Sequence, residues 1–408
     1  MLTPVRTGAA LLTATLLTGL AAGPASADAT ASPSAAPVTA PAALYGKGDP
    51  AYDGVWRQSL ALTALSAAKV TPADAAVDWL TGQQCADGGW PSFRADRTAA
   101  CTPATEDSNA TAVAVQALVA LGGHQQQVDE GVAWLKANQN ADGSWAYNPG
   151  NPGDADSTGL AVSALRAAKT DPGTVAKSGH TGLQALAALQ LGCDTAADQR
   201  GALAYQATAG SPLTANPLAT AQAALALAGG GLPVPVGSAD GTAPKGCEAS
   251  AAPAENAAGY LAATLAANGQ HLMLAMPGAT PTPDYAATSW AALSLVRAGH
   301  PLQAKAAADW LAANAGSWAK GTNGPDAAAT AVLLLTAQAT GADPHSFGGT
   351  DLVKQLTEAG PAPKASAPAA TGAAKKSGSS SSLWTIGVGL LIGAGGGLLI
   401  SLNRKRAK

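Results

Sequence analysis

The segment that decides the fold is VDWLTGQQCADGGW, Val77 to Trp90, because it recurs without gaps as VAWLKANQNADGSW, Val132 to Trp145. The two copies are 55 positions apart. Their shared pattern is Leu-xxx-Gln-xxx-Gly-x-Trp: Leu80, Gln84, Gly88 and Trp90, then Leu135, Gln139, Gly143 and Trp145. A recurring segment of this length indicates an array of similar structural units.

A shortened third copy, DWLAANAGSW, runs from Asp309 to Trp318, with Ala315 where the glutamine is expected. An Ala-rich segment with a polar start follows each motif. These segments begin at Glu106, Asp154, Asp284 and Asp326, with a weaker member at Asn216. Asp, Asn and Ser cap helix starts, and carboxylates there suit the helix dipole. We therefore interpret Asp107, Asp156, Asp284 and Asp326 as recurrent capping acids.

Each unit is thus predicted to be a helix, a glycine turn, a cap and a second helix. Dividing residues 44–359 by the period leaves nearly six such hairpins. Units that each bury one face can close on themselves as a ring. We expect an all-α fold, a single (α/α)6 toroid over residues 44–359.

The Gln-xxx-Gly-x-Trp elements resemble those of the prenyltransferase and squalene cyclase superfamily, strongly in the first two repeats. The resemblance implies inner and outer helix rings, with the inner helices starting at the mouth of a central cavity. It also implies that Gln84/Trp90 and Gln139/Trp145 brace the turns, with Trp318 in the shortened copy. Cobalamin carriers of the intrinsic-factor type share this toroid.

The same resemblance matches Asp156 to the proton-donating aspartate of class II terpene cyclases, with Asp154 as its neighbour; Ser157 replaces the last acid of that cluster. Two observations weigh against catalysis. Aromatic faces stabilise carbocations, yet the chain is only 4% aromatic, and only one toroid fits. Asp154 and Asp156 therefore remain weak catalytic candidates, and the prediction leans away from an enzyme.

Four cysteines, Cys85, Cys101, Cys193 and Cys247, indicate two disulfides in an exported chain. Three connectivities are possible, and Cys85–Cys101 with Cys193–Cys247 closes the smallest loops. A zinc site is the alternative, but no CxxC or close histidine pair favours it. The Asp/Cys/His triad of protein prenyltransferases is not recognisable either, so we expect no metal.

The ends of the chain predict export and anchoring. Residues 1–27 resemble a signal peptide, and residues 28–43 an Ala/Pro-rich linker. A stalk, 360–382, precedes a predicted transmembrane helix, 383–402, and a basic cytoplasmic tail, 403–408. Gly389, Gly393 and Gly397 form a smooth stripe for a second copy or a transporter.

The function we favour from the sequence is a surface-anchored, non-catalytic toroid that binds a small ligand, with cobalamin preferred by fold analogy. No other cofactor is expected. The net charge of −3 and the lack of a basic patch outside the tail exclude nucleic acid as a partner. The candidate ligand contacts are Asp107, Thr111, Asp156, Thr158, Asp284, Tyr285 and Asp326. A terpene cyclase-like enzyme and a structural wall protein stay open as alternatives.

Overall fold

The computed structural model describes residues 38–365, apart from 239–240, 276–278 and 323. The predicted signal peptide, the transmembrane helix with its glycine stripe and the basic tail lie outside these residues. Among the helices that are described, none is both long enough and apolar enough to cross a bilayer.

Within the described residues the chain is mostly helical, which confirms the all-α prediction. The helices are α1 Pro50–Ala67, α2 Asp74–Gly82, α3 Ser108–Leu121, α4 Gln125–Ala137, α5 Ala155–Ala167, α6 Gly182–Ala188, α7 Pro217–Leu227, α8 Pro253–Ala267, α9 Tyr285–Ala298, α10 Pro301–Asn314, α11 Gly316–Lys320, α12 Ala327–Thr340 and α13 Leu352–Glu358. Two short antiparallel pairs accompany them: β1 Ala176–Lys177 with β2 His180–Thr181, and β3 Leu272–Leu274 with β4 Thr282–Asp284.

Six of the helices pack in a closed cycle. The order is α1, α3, α5, α7, α9 and α12, and α12 packs back against α1. Each of them also packs against the helix that pairs with it: α2, α4, α6, α8, α10 and α13. Small side chains allow this close approach; a Cβ at Gly159 of α5 would lie 3.0 Å from the Cα of Ala223 in α7.

The two ends of the ring meet at one seam. The backbone N–H of Gly46 donates to the carbonyl of Ala359 (2.8 Å), and that of Lys364 donates to Thr71 (2.9 Å). Helices α1 and α13 are also in contact. The chain therefore enters and leaves the ring at the same place.

The motif tryptophans connect the two helices of neighbouring units. Trp90 and Trp145 are fully buried. Their indole N–H groups donate to the carbonyls of Leu80 (2.9 Å) and Leu135 (2.7 Å) at the preceding outer helix. Their backbone N–H groups donate to threonine hydroxyls in the following inner helix, Thr111 (2.9 Å) and Thr158 (3.0 Å).

The motif glutamines connect each turn to the next hairpin. The Gln84 amide donates to the carbonyls of Gly88 and Gln127, both at 3.0 Å. The Gln139 amide donates to Gly143 (2.9 Å) and Val175 (3.4 Å). Each glutamine therefore holds its own turn closed and binds the start of the next unit.

A copy of the motif that the sequence analysis missed precedes α7. The Gln190 amide donates to the carbonyls of Gly201 (3.0 Å) and Pro253 (2.8 Å), and the Leu203 N–H donates to the Thr220 hydroxyl (2.9 Å). Leu203 stands where the other copies have tryptophan. The glutamine and glycine are eleven positions apart instead of four, so the pattern is hidden by an insertion.

The prediction of two disulfides is confirmed, and of the three possible pairings the structure has the one with the smallest loops, Cys85–Cys101 and Cys193–Cys247. The first closes a loop within the turn after α2. The second ties the insertion before α7 to the long connection between α7 and α8. In the loop-entropy account each contributes about 3–4 kcal/mol by restricting the unfolded chain.

Gly143→Ala tests the turn geometry against a matched control, Gly150→Ala. Both glycines have φ of 86°, but a Cβ at Gly143 would lie 2.5 Å from the Thr181 carbonyl oxygen, whereas none of the atoms around Gly150 is within 4 Å. The left-handed backbone costs each variant about 1–2 kcal/mol. We expect Gly143→Ala to lose clearly more free energy of unfolding in urea titrations. Equal losses of unfolding free energy in the two variants would show that the close contact between Gly143 and the Thr181 carbonyl does not constrain the turn.

Candidate functional site

The starts of neighbouring inner helices are bonded together at one end of the ring. The N–H of Ser108, the first residue of α3, donates to the Tyr147 carbonyl (2.9 Å) before α5. In the same way the N–H of Ala155 in α5 donates to Tyr205 (2.8 Å) before α7. We call this end of the ring the mouth.

Aspartates cap five of the six inner helices, including α1, where Asp49 accepts from the Ala51 N–H (2.9 Å). Asp107 accepts from the N–H groups of Asn109 and Ala110, Asp284 from Ala287, and Asp326 from Ala329, at 2.7–3.0 Å. At α5 the cap is Asp154, which accepts from the Ser157 N–H (2.7 Å) and hydroxyl (2.9 Å). The inclusion of Asp156 among the recurrent caps is therefore wrong by two residues, because the Asp-Ala-Asp spacing offers two possible registers.

Asp156 is the second residue of α5 and caps nothing. Its Oδ1 is buried and has no hydrogen-bond partner among the described residues. Burial, and then the charge of Asp154, raise its pKa to about 7. Asp156 is thus a carboxylic acid that is half protonated near neutral pH.

The exposure pattern indicates where Asp156 points. In α3, α5, α7, α9 and α12 the third and fourth residues are buried, while the second is partly exposed. These second residues are Asn109, Asp156, Leu218, Ala286 and Ala328. Because the buried residues pack into the walls, we place the second residues on the lumen side of the mouth. The Asn109 Oδ1, like that of Asp156, is buried without a partner in the described chain.

One turn deeper, two tryptophans meet inside the ring. Trp56 of α1 and Trp290 of α9 have ring centroids 6.3 Å apart, tilted by 46°. Helices α1 and α9 lie on either side of α12 in the cycle, so their side chains meet across the lumen. Trp290 follows Ala286 by one helical turn, which places the indoles beneath the mouth.

A strap, Gly229–Gly237, crosses the opposite end of the ring after α7. The Leu232 N–H donates to the Gln116 Oε1 of α3 (2.7 Å), and the Gly237 N–H donates to the Ala339 carbonyl of α12 (3.0 Å). A Cβ at Gly231 would lie 2.9 Å from the Ser163 carbonyl oxygen of α5. Since the strap contacts three inner helices and buries Leu232 and Val234, it covers that end and leaves the mouth as the entrance.

The structure brings together only some of the predicted contact residues. Asp107, Asp154 and Asp156 are electrostatic neighbours; burial raises the pKa of Asp107 to about 6, and the charge of Asp154 adds to it. Burial also raises the pKa of Asp154. Asp284 and Asp326 cap other parts of the ring. Thr111 and Thr158 are fully buried and occupied by the tryptophan N–H groups.

Tyr285 lies in a separate aromatic stack. Its ring is 5.4 Å from that of Trp310 and 5.5 Å from that of Trp318, and Trp310 also stacks on His271 at 4.2 Å. Trp318 falls in the short α11, so the shortened third copy forms a helical turn in place of the glycine turn. Its tryptophan is only partly buried.

Sequence reasoning missed Asn109, Trp56 and Trp290 in the lumen, and Tyr147 and Tyr205 at the rim. Burial and the charges of Asp154 and Asp156 raise the pKa of Tyr205, while burial and Asp107 raise that of Tyr147. Asn109 and Asp156 share one position, the second helical residue after the cap, and this shared position was the available signal in the sequence. Using it required knowing that Asp154, and not Asp156, caps α5.

One group of possible metal ligands occurs in the described residues, Cys85, Cys101 and Glu106. Its two sulfur atoms are joined to each other as a disulfide. They are therefore not free to bind a metal in this form of the protein.

Comparison with known proteins agrees with this geometry. The squalene-hopene cyclase C-terminal domain family matches residues 42–178, which include the first two motifs and the Asp154 cap. These matches support a relationship of this part of the chain to the prenyltransferase and squalene cyclase superfamily. A probable squalene–hopene cyclase of Sinorhizobium fredii is 35% identical over 82 residues, which are 17% of this chain and 13% of that protein.

The superfamily match thus covers a small part of its curated relative. Among solved structures, a crystal structure of a protein from Actinoplanes is 19% identical with a TM-score of 0.43, covering 69% of this chain and 78% of that one.

Asp154→Ala and Asp156→Asn are expected to have opposite effects on stability. Loss of the Asp154 cap should cost about 1 kcal/mol. Asp156 has a raised folded-state pKa, so its stability contribution is full below its unfolded pKa near 4 and declines as pH rises towards 7. Between pH 4 and 7 the free energy of unfolding of Asp156→Asn should therefore rise above that of the wild type. The difference should reach at most about 1.4 kcal/mol for each unit by which the pKa is raised.

Urea unfolding at pH 4, 5.5, 7 and 8 measures both effects. A wild type and Asp156→Asn with parallel pH profiles would show that Asp156 is solvated and ionises normally.

Proposed function

We propose that the protein binds a small molecule at the mouth of the ring, with the Asp156 carboxyl as the polar anchor. The observation that supports this is the buried Asp156 oxygen, which has no hydrogen-bond partner among the described residues. Binding sites typically combine apolar walls with a few converging polar groups. In its protonated form Asp156 donates a hydrogen bond, and the Asn109 oxygen beside it on α3 accepts one.

The chemistry of these groups defines the ligand class. No Lys or Arg contributes to the pKa shifts of Asp107, Asp154 or Asp156, so an anionic head group is disfavoured. A ligand with a flat or apolar body and a neutral acceptor group suits the indoles and the carboxyl. Cobalamin stays a candidate on fold resemblance alone, because the lumen residues carry no specific feature for it.

Export and surface anchoring also remain part of the proposal. Two disulfides within the described chain are typical of an oxidising compartment. The anchor itself lies outside the described residues. A transporter or a second copy as helix partner stays a prediction from the glycine stripe.

A second candidate function is general acid catalysis on an isoprenoid. It is favoured by one observation, the buried carboxyl of Asp156, whose pKa burial and the charge of Asp154 raise to about 7. Such a group can donate a proton at neutral pH, and indole faces stabilise a developing cation. Against it, Ser157 bonds to Asp154 where the cyclase cluster has a further acid.

Ligand binding is tested with the purified full-length protein by native mass spectrometry and calorimetry, using cobalamin and squalene as probes. Asp156→Ala removes the anchor and should weaken binding by about 5- to 100-fold, the range for a lost hydrogen bond to a buried group. Trp56→Ala should weaken it as well. Asp129→Asn, an exposed carboxyl on α4, is the matched control and should bind like the wild type.

Asp156→Asn separates binding from catalysis. The amide keeps a hydrogen-bond donor of the same shape but cannot give up a proton. A carrier should keep its affinity within a few-fold in this variant. A cyclase should bind squalene yet lose product formation by at least 100-fold in gas chromatography of the extracts, in line with loss of a general acid. Absence of binding with both probes, in wild type and variants alike, would remove the proposal and favour a structural wall protein.

A further inference from the structure

A buried acid lies beside the Cys85–Cys101 disulfide, on the outer side of the first repeat. A carboxylate oxygen of Glu106 and both sulfur atoms are within 4.8 Å of one another. The Glu106 side chain is 2% exposed, and its Oε1 has no hydrogen-bond partner among the described residues. Burying a carboxyl oxygen without a hydrogen bond is costly, and this cost falls on the acid that lies against the disulfide.

Three groups face Glu106 from the elements packed around it. Asp87 comes from the turn after α2, Trp134 from α4, and Arg94 from the disulfide loop. Burial, together with Asp87, raises the pKa of Glu106 to about 7, while Trp134 and Arg94 oppose the rise. Glu106 therefore retains its proton through the acidic range up to neutrality.

The two sulfur atoms differ in access. Cys85 is 4% exposed at the end of the outer helix. Cys101 is half-buried, and the residues on both sides of it, 95–100 and 102–105, are exposed. An incoming thiolate therefore reaches Cys101 first, and Cys85 becomes the leaving group, next to Glu106.

We propose that the Cys85–Cys101 disulfide exchanges with an external dithiol reductant and that Glu106 is the acid that protonates the departing Cys85 sulfur. The reductant thiolate attacks the Cys101 sulfur, forming a mixed disulfide and breaking the Cys85–Cys101 bond. The Cys85 thiolate takes the proton of Glu106. The second thiol of the reductant then loses its proton and attacks the mixed disulfide. This releases Cys101 as a thiolate that takes up a proton from solvent, and the reductant leaves as its own disulfide.

The loop that this disulfide closes is bonded to α1, so exchange at the disulfide would affect the helix that carries Trp56. The loop closed by the disulfide carries Ser92, whose carbonyl accepts from the Val55 N–H of α1 (2.9 Å). Its Phe93 stacks on Trp79 of α2, with ring centroids 6.4 Å apart. Opening the disulfide releases a loop that is bonded to the same helix that carries Trp56.

The second disulfide is an internal control. Cys193 and Cys247 are both half-buried, and no buried carboxylate converges on them in the described chain. If access alone governed exchange, this pair would open faster, because neither of its sulfur atoms is fully covered. The proposal predicts the opposite order.

The experiment follows both disulfides of the oxidised full-length protein during reduction by dithiothreitol. Samples are quenched with acid and alkylated, and each cysteine pair is measured by peptide mass spectrometry. The ratio of the two rates cancels the ionisation of the reductant. At pH 6 we expect Cys85–Cys101 to open at least 10-fold faster, and the ratio to fall as pH rises through 7 and Glu106 loses its proton.

Glu106→Gln should reduce the ratio to one or below at every pH, without changing the rate at Cys193–Cys247. Asp87→Asn should move the fall of the ratio to lower pH, because Asp87 helps to hold the proton on Glu106. Asp142→Asn is the matched control, since it changes the equivalent turn of the second repeat, which has no disulfide.

A ratio that is independent of pH in the wild type overturns the proposal, and this measurement needs no variant. A ratio unchanged by Glu106→Gln, in a variant with wild-type circular dichroism, overturns it as well.

Discussion

The whole ring depends on one hydrogen bond, from the backbone N–H of a turn residue to a threonine hydroxyl four residues after a helix cap. It joins Trp90 to Thr111, Trp145 to Thr158, Leu203 to Thr220 and Leu272 to Thr288. In each case the hydroxyl is buried, so a lost partner would leave a desolvated group. The bond sets the distance from an outer helix to the next inner helix, and it recurs at four of the six inner helices, α3, α5, α7 and α9.

This constraint also explains which residues are free for function. The cap and the threonine are committed to the turn, and the third residue packs into the wall. In the first turn of each helix, this leaves the second residue to face the lumen. In α5 that residue is Asp156. Its carboxyl lacks a hydrogen-bond partner in the described part of the chain, because the turns and the walls of the ring make no contact that needs a side chain at this position. The chemistry of the mouth therefore varies without disturbing the turns.

Much of the fold could be predicted from the sequence because two copies of the motif align without gaps and share 8 of 14 residues. The all-α class followed from the repeats, and the cysteine count predicted two disulfides while three pairings stayed open. The copy at Gln190 escaped because an insertion and a leucine replaced the two features that define the motif, while its threonine was conserved in position. Asp156 was placed among the caps because spacing along one helix start cannot distinguish two acids separated by a single residue. The strap had no signature, since a Gly/Pro-rich segment predicts a loop and not where the loop lies.

The seam between Gly46 and Ala359 has a consequence for the order of the hairpins. Because the two ends of the ring touch, the chain could in principle begin and end at another turn. A short bridge across the seam, with new ends in an exposed turn such as the one around Gly150, would preserve every inner contact. The fold should therefore tolerate circular permutation, because its helix packing does not depend on which hairpin comes first in the chain.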